Sequence, residues 1–191
     1  MARPKSEDKR NAILTAAIQV FAERGLAAPT SEISKQAGVA EGTLFTYFKT
    51  KDELINSLYR DLKLELADAM MSGFSLKKGI RAKLEHFWNG YINWGSANPE
   101  QRKVMSQLQF SDVLTQESRE AGGMAFIEMK TMIREAVEQR ILRDDVPLDL
   151  ISRVVSAMAE LTIDLIRINP GSEEKYRSGG FELYWSAVTK K

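Results

Sequence analysis

Apolar residues recur every three or four positions along most of this chain, the period of an α-helix, and no run alternates at the period of a half-buried strand. The pattern predicts an all-α fold. A first helix begins near Ser6, a capping residue, with Glu7 and Asp8 suited to the positive end of its dipole. Ile13, Leu14, Ala17, Val20 and Phe21 form its apolar stripe, and Gly25 supplies a left-handed stop. Pro29 and Thr30 introduce a short second helix carrying Ile33 and Ala37, which Gly38 ends. In the following stretch, "GVAEGTLFTYFKTKDE", about 100° per residue turns Leu44 and Phe48 inward and Gly42, Thr43, Thr46 and Tyr47 outward. Thr50 and Glu53 have the spacing of a capping box, so a fourth helix starts there. It carries Leu54, Ile55, Leu58, Tyr59, Leu62 and Leu66 and runs to about Met71.

A break at "SGFS" precedes a second region of longer helices. Ile80, Leu84, Phe87, Trp88 and Tyr91 share a face of a helix that ends before Pro99. Asn98, Pro99 and Gln101 have the order of cap, first turn and capping partner for the next one. A further helix is predicted over residues 124–142, another from Pro147 to Ile168, and a last one from Ser172 to about Val188.

Composition narrows the function classes. A hydrophobic fraction of 43 % over 191 residues is enough for a proper core. With no cysteine there is no disulfide framework and no thiolate metal site, and a reducing, cytoplasmic address is expected. The charged start "MARPKSEDKR" does not read as a signal peptide, and no run has the length of a membrane span, so no membrane partner is expected. Twenty-seven basic against 26 acidic residues give a net charge of +1, which by itself announces no nucleic acid. Arg3, Lys5, Lys9, Arg10, Lys35, Lys49 and Lys51 nevertheless fall in the first third, mixed with acidic neighbours. His86 is the only histidine, so a His-pair metal motif is excluded, and neither a P-loop nor a dinucleotide glycine fingerprint is present. No cofactor and no catalytic group are expected, and an enzyme is the weaker rival.

Two short helices joined by a glycine turn and buttressed by a longer one are the parts of a helix-turn-helix, here about residues 29–48. Such a unit presents a short helix to the major groove, where outward groups must be small or planar enough to reach base edges. Gly42 permits close backbone approach, and Thr43 and Thr46 offer hydroxyls and methyls. Tyr47 adds a ring with one hydroxyl. Lys49, Lys51 and the amides opening the fourth helix suit phosphates. For Lys5, Lys9 and Arg10, solvated surface and phosphate contact are evenly balanced.

The stretch "TSEISKQAGVAEGTLFTYFKTKDEL", residues 30–54, resembles the signature of the TetR family of transcriptional repressors, and "ILTAAIQVFAERG" before it fits the same N-terminal domain. The resemblance covers roughly the first 65 residues and extends loosely to regulators of multidrug efflux. It implies a helix-turn-helix domain over residues 1–66 and an effector-binding and dimerisation domain over 67–191. It further implies a homodimer on double-stranded, pseudo-palindromic operator DNA, released by a small-molecule effector acting through the helix that begins at Lys51. Family DNA contacts map onto Thr30, Ser31, Glu41, Gly42, Thr43, Phe45, Thr46, Tyr47 and Lys51, with Lys49 added from its charge. Three departures stand out. Phe45 stands where tyrosine is common, Ala40 replaces a capping Ser or Thr, and Glu41 is disfavoured beside phosphates unless it accepts from a cytosine amino group.

For the effector, Tyr59 and Trp88 are the expected pocket walls, with Lys63, Leu84 and Val155 beside them, and they favour a bulky apolar or aromatic compound. Core packing is the ordinary role of the Phe87, Trp88 and Tyr91 face. The wide arc of Leu150, Val154, Val155, Met158, Leu161, Leu165 and Ile166, with Gly179, Gly180, Phe181 and Trp185 on the last helix, reads as half of a dimer bundle. Arg153, Glu160, Asp164 and Arg167 on its polar side read as a solvated charge row or intersubunit pairs.

Overall fold

The computed structural model describes residues 5–109 and 111–190; Arg3 and the side chains of Lys5 and Ser6 lie outside the described residues. Ten α-helices are present among them: α1 (Lys5–Arg24), α2 (Thr30–Gln36), α3 (Glu41–Tyr47), α4 (Lys51–Met71), α5 (Ile80–Ala97), α6 (Pro99–Gln109), α7 (Gln116–Met124), α8 (Ile127–Glu138), α9 (Leu148–Ile168) and α10 (Glu173–Val188). Two short 3-10 turns and one isolated bridge between Leu142 and Thr189 complete the described secondary structure. The fold is all-α.

The helices form two compact units, and the division does not follow chain order. The first comprises the chain up to Leu64 together with Asn98–Gly123; the second comprises Glu65–Ala97 and Met124 onward. Helix α4 thus gives its larger part to the first unit and its last turns to the second. Helix α6 and most of α7 belong with the N-terminal helices.

In the first unit the apolar stripe of α1 is buried as its spacing requires, with Ile13, Ala17 and Phe21 fully enclosed. They meet Ile33 of α2, Leu44 of α3, Leu54, Ile55, Leu58 and Leu62 of α4, and Val104 and Leu108 of α6. Gly25 (φ +81°) and Gly38 (φ +67°) adopt the left-handed conformation expected of helix stops. Ser6 lies inside α1 rather than ahead of it, since the helix is already formed at Lys5.

Helix α4 opens on a capping arrangement: the Glu53 amide donates to Thr50 Oγ1 at 3.1 Å, and the Lys49 amide donates to Glu53 Oε2 at 2.8 Å. The reciprocal bond therefore reaches one residue further back than the usual box. At the start of α6, Gln101 Nε2 donates to Asn98 Oδ1 at 3.4 Å, a long version of the expected cap contact.

The second unit is built on Phe74, Leu84, Trp88, Ile92, Met132, Ala136, Ile163, Phe181 and Tyr184. The single helix expected over residues 124–142 is shorter: α7 ends at Met124, α8 spans Ile127–Glu138, and Arg140 turns the chain with φ +57°. On α9 the wide apolar arc divides. Ile163 and Ile166 are buried, Val155, Met158 and Leu165 are half-buried, and Leu150, Val154 and Leu161 face solvent.

Candidate nucleic-acid interface

Helix α3 has seven residues and two anchors. Leu44 and Phe48 are buried in the first core, which fixes the helix's rotation about its own axis. The link from α2 is tight: the Val39 amide donates to the Ser34 carbonyl at 3.0 Å, and the Gly38 amide donates to the Lys35 carbonyl at 3.2 Å. Ala40 caps α3 in an extended conformation with no side-chain bond, consistent with a start weaker by about 1 kcal/mol than a Ser or Thr cap gives.

With Leu44 and Phe48 inward, Glu41, Gly42, Phe45 and Thr46 are exposed, while Thr43 and Tyr47 are half-buried. Tyr47 packs its ring against the first core, so its outward part is the phenol end rather than the whole side chain. The Thr46 hydroxyl donates back to the Gly42 carbonyl at 3.0 Å, which leaves its oxygen as an acceptor and its methyl for contact. Thr30 Oγ1 donates to Glu41 Oε1 at 2.9 Å, tying the start of α2 to the start of α3. Ser31, beside it, is exposed. At Gly42 an added Cβ would meet nothing within 4 Å, and φ is not in the left-handed region. Neither packing nor backbone explains its missing side chain.

The basic residues sort themselves. Lys49 is exposed. Lys51 is half-buried, with its ammonium 6.0 Å from the Phe21 ring centroid. Of the amides thought available for phosphate, those of Lys49 and Glu53 are already used by the cap. Arg10 departs from both roles open to it: it donates to Ser57 Oγ at 2.8 Å, pairs with Asp61 at 3.1 Å, and lies over the Phe48 ring at 5.8 Å. It joins α1 to α4 and covers an anchor of α3.

The expected pocket residues are divided between the two cores. Tyr59 and Lys63 lie in the first unit beside Gly122 of α7, where a Cβ would stand 2.9 Å from Tyr59 Cε1 and 3.0 Å from Lys63 Cγ. Burial raises the Tyr59 phenol above its ordinary pKa, and the positive charge of Arg119 opposes the shift. Leu84, Trp88 and Val155 lie in the second unit. There Trp88 is 2 % exposed, donates from Nε1 to the Arg177 carbonyl at 3.1 Å, and stacks against Tyr184 with ring centres 5.8 Å apart.

Two polar features escaped the sequence reading. Asn56, buried on α4, donates from Nδ2 to the Val113 carbonyl at 2.9 Å and accepts the Thr115 amide on Oδ1 at 2.9 Å, while Arg60 donates to Ser118 Oγ at 2.7 Å. In the second unit the Tyr91 hydroxyl donates to Glu160, so this member of the presumed charge row faces α5. The Thr50–Glu53 spacing showed itself because both partners are local; the bonds from Asn56 to Val113 and Thr115 had no such signal, being made to residues more than fifty positions away.

Residues 13–58 match the family described as bacterial regulatory proteins, tetR family, and they span all of α2 and α3 with the adjoining parts of α1 and α4. This region is an N-terminal domain of the TetR family. The "Fatty acid metabolism regulator protein" of Bacillus subtilis (strain 168) is 37 % identical over 38 % of this chain and 38 % of its own length. The chain thus matches well under half of the length of that relative. The "HTH-type transcriptional repressor KstR2" of Mycobacterium tuberculosis is 24 % identical over 77 % of this chain and 76 % of its own. Over the full fold, a crystal structure of a TetR-family regulator from Shewanella sp. PV-4 superposes with a TM-score of 0.85 at 26 % identity, covering 96 % of this chain and 99 % of that one. These relatives are named as regulators rather than enzymes, in agreement with the non-enzymatic reading of this chain.

Proposed function

We propose that this TetR-family protein is a transcriptional repressor that binds a pseudo-palindromic operator as a homodimer and leaves it when a small molecule binds. One observation carries the reading: a seven-residue helix is anchored by Leu44 and Phe48 so that an unexplained glycine and a small hydroxyl residue, Gly42 and Thr46, face outward at its exposed side. Thr30, Ser31, Glu41, Gly42, Thr43, Phe45, Thr46, Tyr47, Lys49 and Lys51 make up the DNA-contacting set. In the dimer two copies of α3 enter successive major grooves about 34 Å apart.

Dimerisation is supported by the exposed half of the α9 arc. Leu150, Val154, Leu161 and Ile168 follow one another at intervals of four and seven, forming a single stripe. Leu183 of α10, a helix packed on α9, is a further exposed apolar group, at 66 %. A second copy of the same two helices would cover these groups.

The effector is a bulky apolar or aromatic molecule. The aromatic groups of the second unit, Phe87 against Phe126 and Trp88 against Tyr184, supply the lining, and relatives named for fatty acid metabolism and as a ketosteroid regulator point to large apolar ligands. Leu84, Trp88 and Val155, all of the second unit, are the residues assigned to it, and residues 1–66 supply the DNA contacts. Regulation of multidrug efflux fits such ligands, and the cytoplasm is the proposed location; no helix is long and apolar enough to cross a membrane among the described residues. Ligand releases DNA by binding the non-operator conformation more tightly, because equal affinity shifts nothing.

The test is selection of bound fragments from genomic duplex DNA. A two-fold symmetric motif with half-sites about one helical turn apart is expected; a flat sequence profile contradicts the proposal.

A further inference from the structure

Glu41 is the one charged residue of α3, and it is exposed at the first turn of the helix, the end next to α2. Among the described residues its hydrogen-bond partner is the Thr30 hydroxyl, a neutral donor that leaves the full negative charge in place. A carboxylate carried toward duplex DNA is repelled by every phosphate it nears. It becomes favourable only against a hydrogen-bond donor on a base edge.

The major groove offers two such donors. The adenine amino group sits between two acceptors, its own N7 and the thymine O4, both of which repel a carboxylate oxygen. The cytosine amino group has an acceptor on one side only, the guanine O6, and a C–H edge on the other. Cytosine is therefore the base that a single carboxylate oxygen selects.

Thr30 determines which oxygen is available. By donating to Oε1 at 2.9 Å it holds the carboxylate across the α2–α3 corner and leaves Oε2 unassigned. The same bond uses up the Thr30 hydroxyl hydrogen, so in this arrangement Thr30 has none to give to a phosphate.

We propose that Glu41 reads a cytosine in each operator half-site and that Thr30 is its positioning residue. This rests on the reading of α3 as the groove helix and adds the base it specifies. Discrimination against the other bases at that position is about 5- to 150-fold, the range of one good base-edge contact.

The experiment is selection from a randomised duplex pool with the wild-type chain and the variants Glu41→Gln, Glu41→Ala, Thr30→Val and Thr30→Ser. Competition titrations on four duplexes that differ only at the position in question follow. The wild type is expected to require cytosine at one position per half-site. Glu41→Gln should move that preference toward adenine, which a carboxamide reads at N6 and N7, and Glu41→Ala should flatten it, with the rest of the motif retained. Thr30→Val should relax the same position and Thr30→Ser restore it.

An unchanged motif in Glu41→Gln, with every sequence bound more tightly, overturns the inference, since it makes Glu41 a repulsive charge and nothing more. Relaxation at all positions together overturns it as well. A wild-type protein that recovers no motif defeats the reading of α3 itself, and the inference with it.

Discussion

Gly42 and Gly180 lack a side chain for opposite reasons. A Cβ at Gly180 would lie 2.7 Å from both Thr162 Oγ1 and Trp88 Cζ2, and those two groups are buried at 6 % and 2 % exposure, so neither yields cheaply. A Cβ at Gly42 meets nothing. Gly180→Ala should therefore destabilise the protein by about 1–3 kcal/mol, as overpacking does. Thermal melting should fall by roughly 2–4 °C for each kcal/mol at this chain length. Gly42→Ala should leave the melting temperature unchanged or raise it, because alanine is the better helix former, yet weaken duplex binding. A Gly42→Ala protein that melts as low as Gly180→Ala and binds DNA normally contradicts the assignment of Gly42 to an external contact. Burial also keeps the Tyr184 phenol protonated well above its ordinary pKa of 10.0. The folded state then binds a proton that the unfolded state releases, and stability declines as pH rises past 10.

At the scale of elements, α7 shows what holds a helix with little apolar content of its own. Its sequence, "QESREAGGM", has no helical stripe, and its place is fixed from outside: Thr115 caps it by accepting the Ser118 amide at 3.2 Å, and Asn56 and Arg60 of α4 grip Thr115 and Ser118. Asn56→Leu keeps the size of the side chain but strands the Val113 carbonyl and the Thr115 amide. Each such loss costs about 1–3 kcal/mol when buried. Hydrogen exchange should accelerate over residues 113–124 while α9 and α10 keep their protection; unchanged exchange in α7 contradicts this account of its anchoring.

The same comparison explains what was legible in the chain. Helices α1 to α4 were readable because their signals are local: stripes at three and four residues, Gly25 and Gly38 as stops, and the Thr50–Glu53 cap. Leu44 and Phe48 followed from rotation alone, and with them Gly42 and Thr46 as outward groups, whereas Thr43 and Tyr47 are half-buried. Helix α7, the return of α6 to the first unit, and the role of Arg10 were not readable, because each depends on a partner distant in sequence. So does the division of Tyr59 and Trp88 between two cores: spacing tells that both are apolar-facing, and not which core receives them. Glu160 was misplaced for the same reason, its partner Tyr91 being on another helix.

For the whole molecule, a net charge of +1 offers no long-range field to gather DNA. Affinity must come from local contacts made twice. In the proposed dimer, two copies of α3 would convert the second contact into an intramolecular event, a gain that a monomer forgoes. Under that proposal the exposed stripe on α9 is as necessary to operator binding as α3. Leu161, 60 % exposed in the single chain, tolerates a charge there without disturbing the core. Leu161→Glu should leave helicity and melting of the chain largely intact, shift sedimentation from dimer to monomer, and lower operator affinity at least tenfold. A Leu161→Glu protein that remains dimeric moves the interface elsewhere.

The most direct measurement is a methylation-protection footprint of the wild-type dimer on its selected operator, since dimethyl sulfate attacks guanine N7 in the major groove. Two protected patches centred about one helical turn apart on one side of the duplex are predicted. A single patch, or bound DNA whose guanines stay fully reactive, contradicts the claim that paired α3 helices occupy successive major grooves.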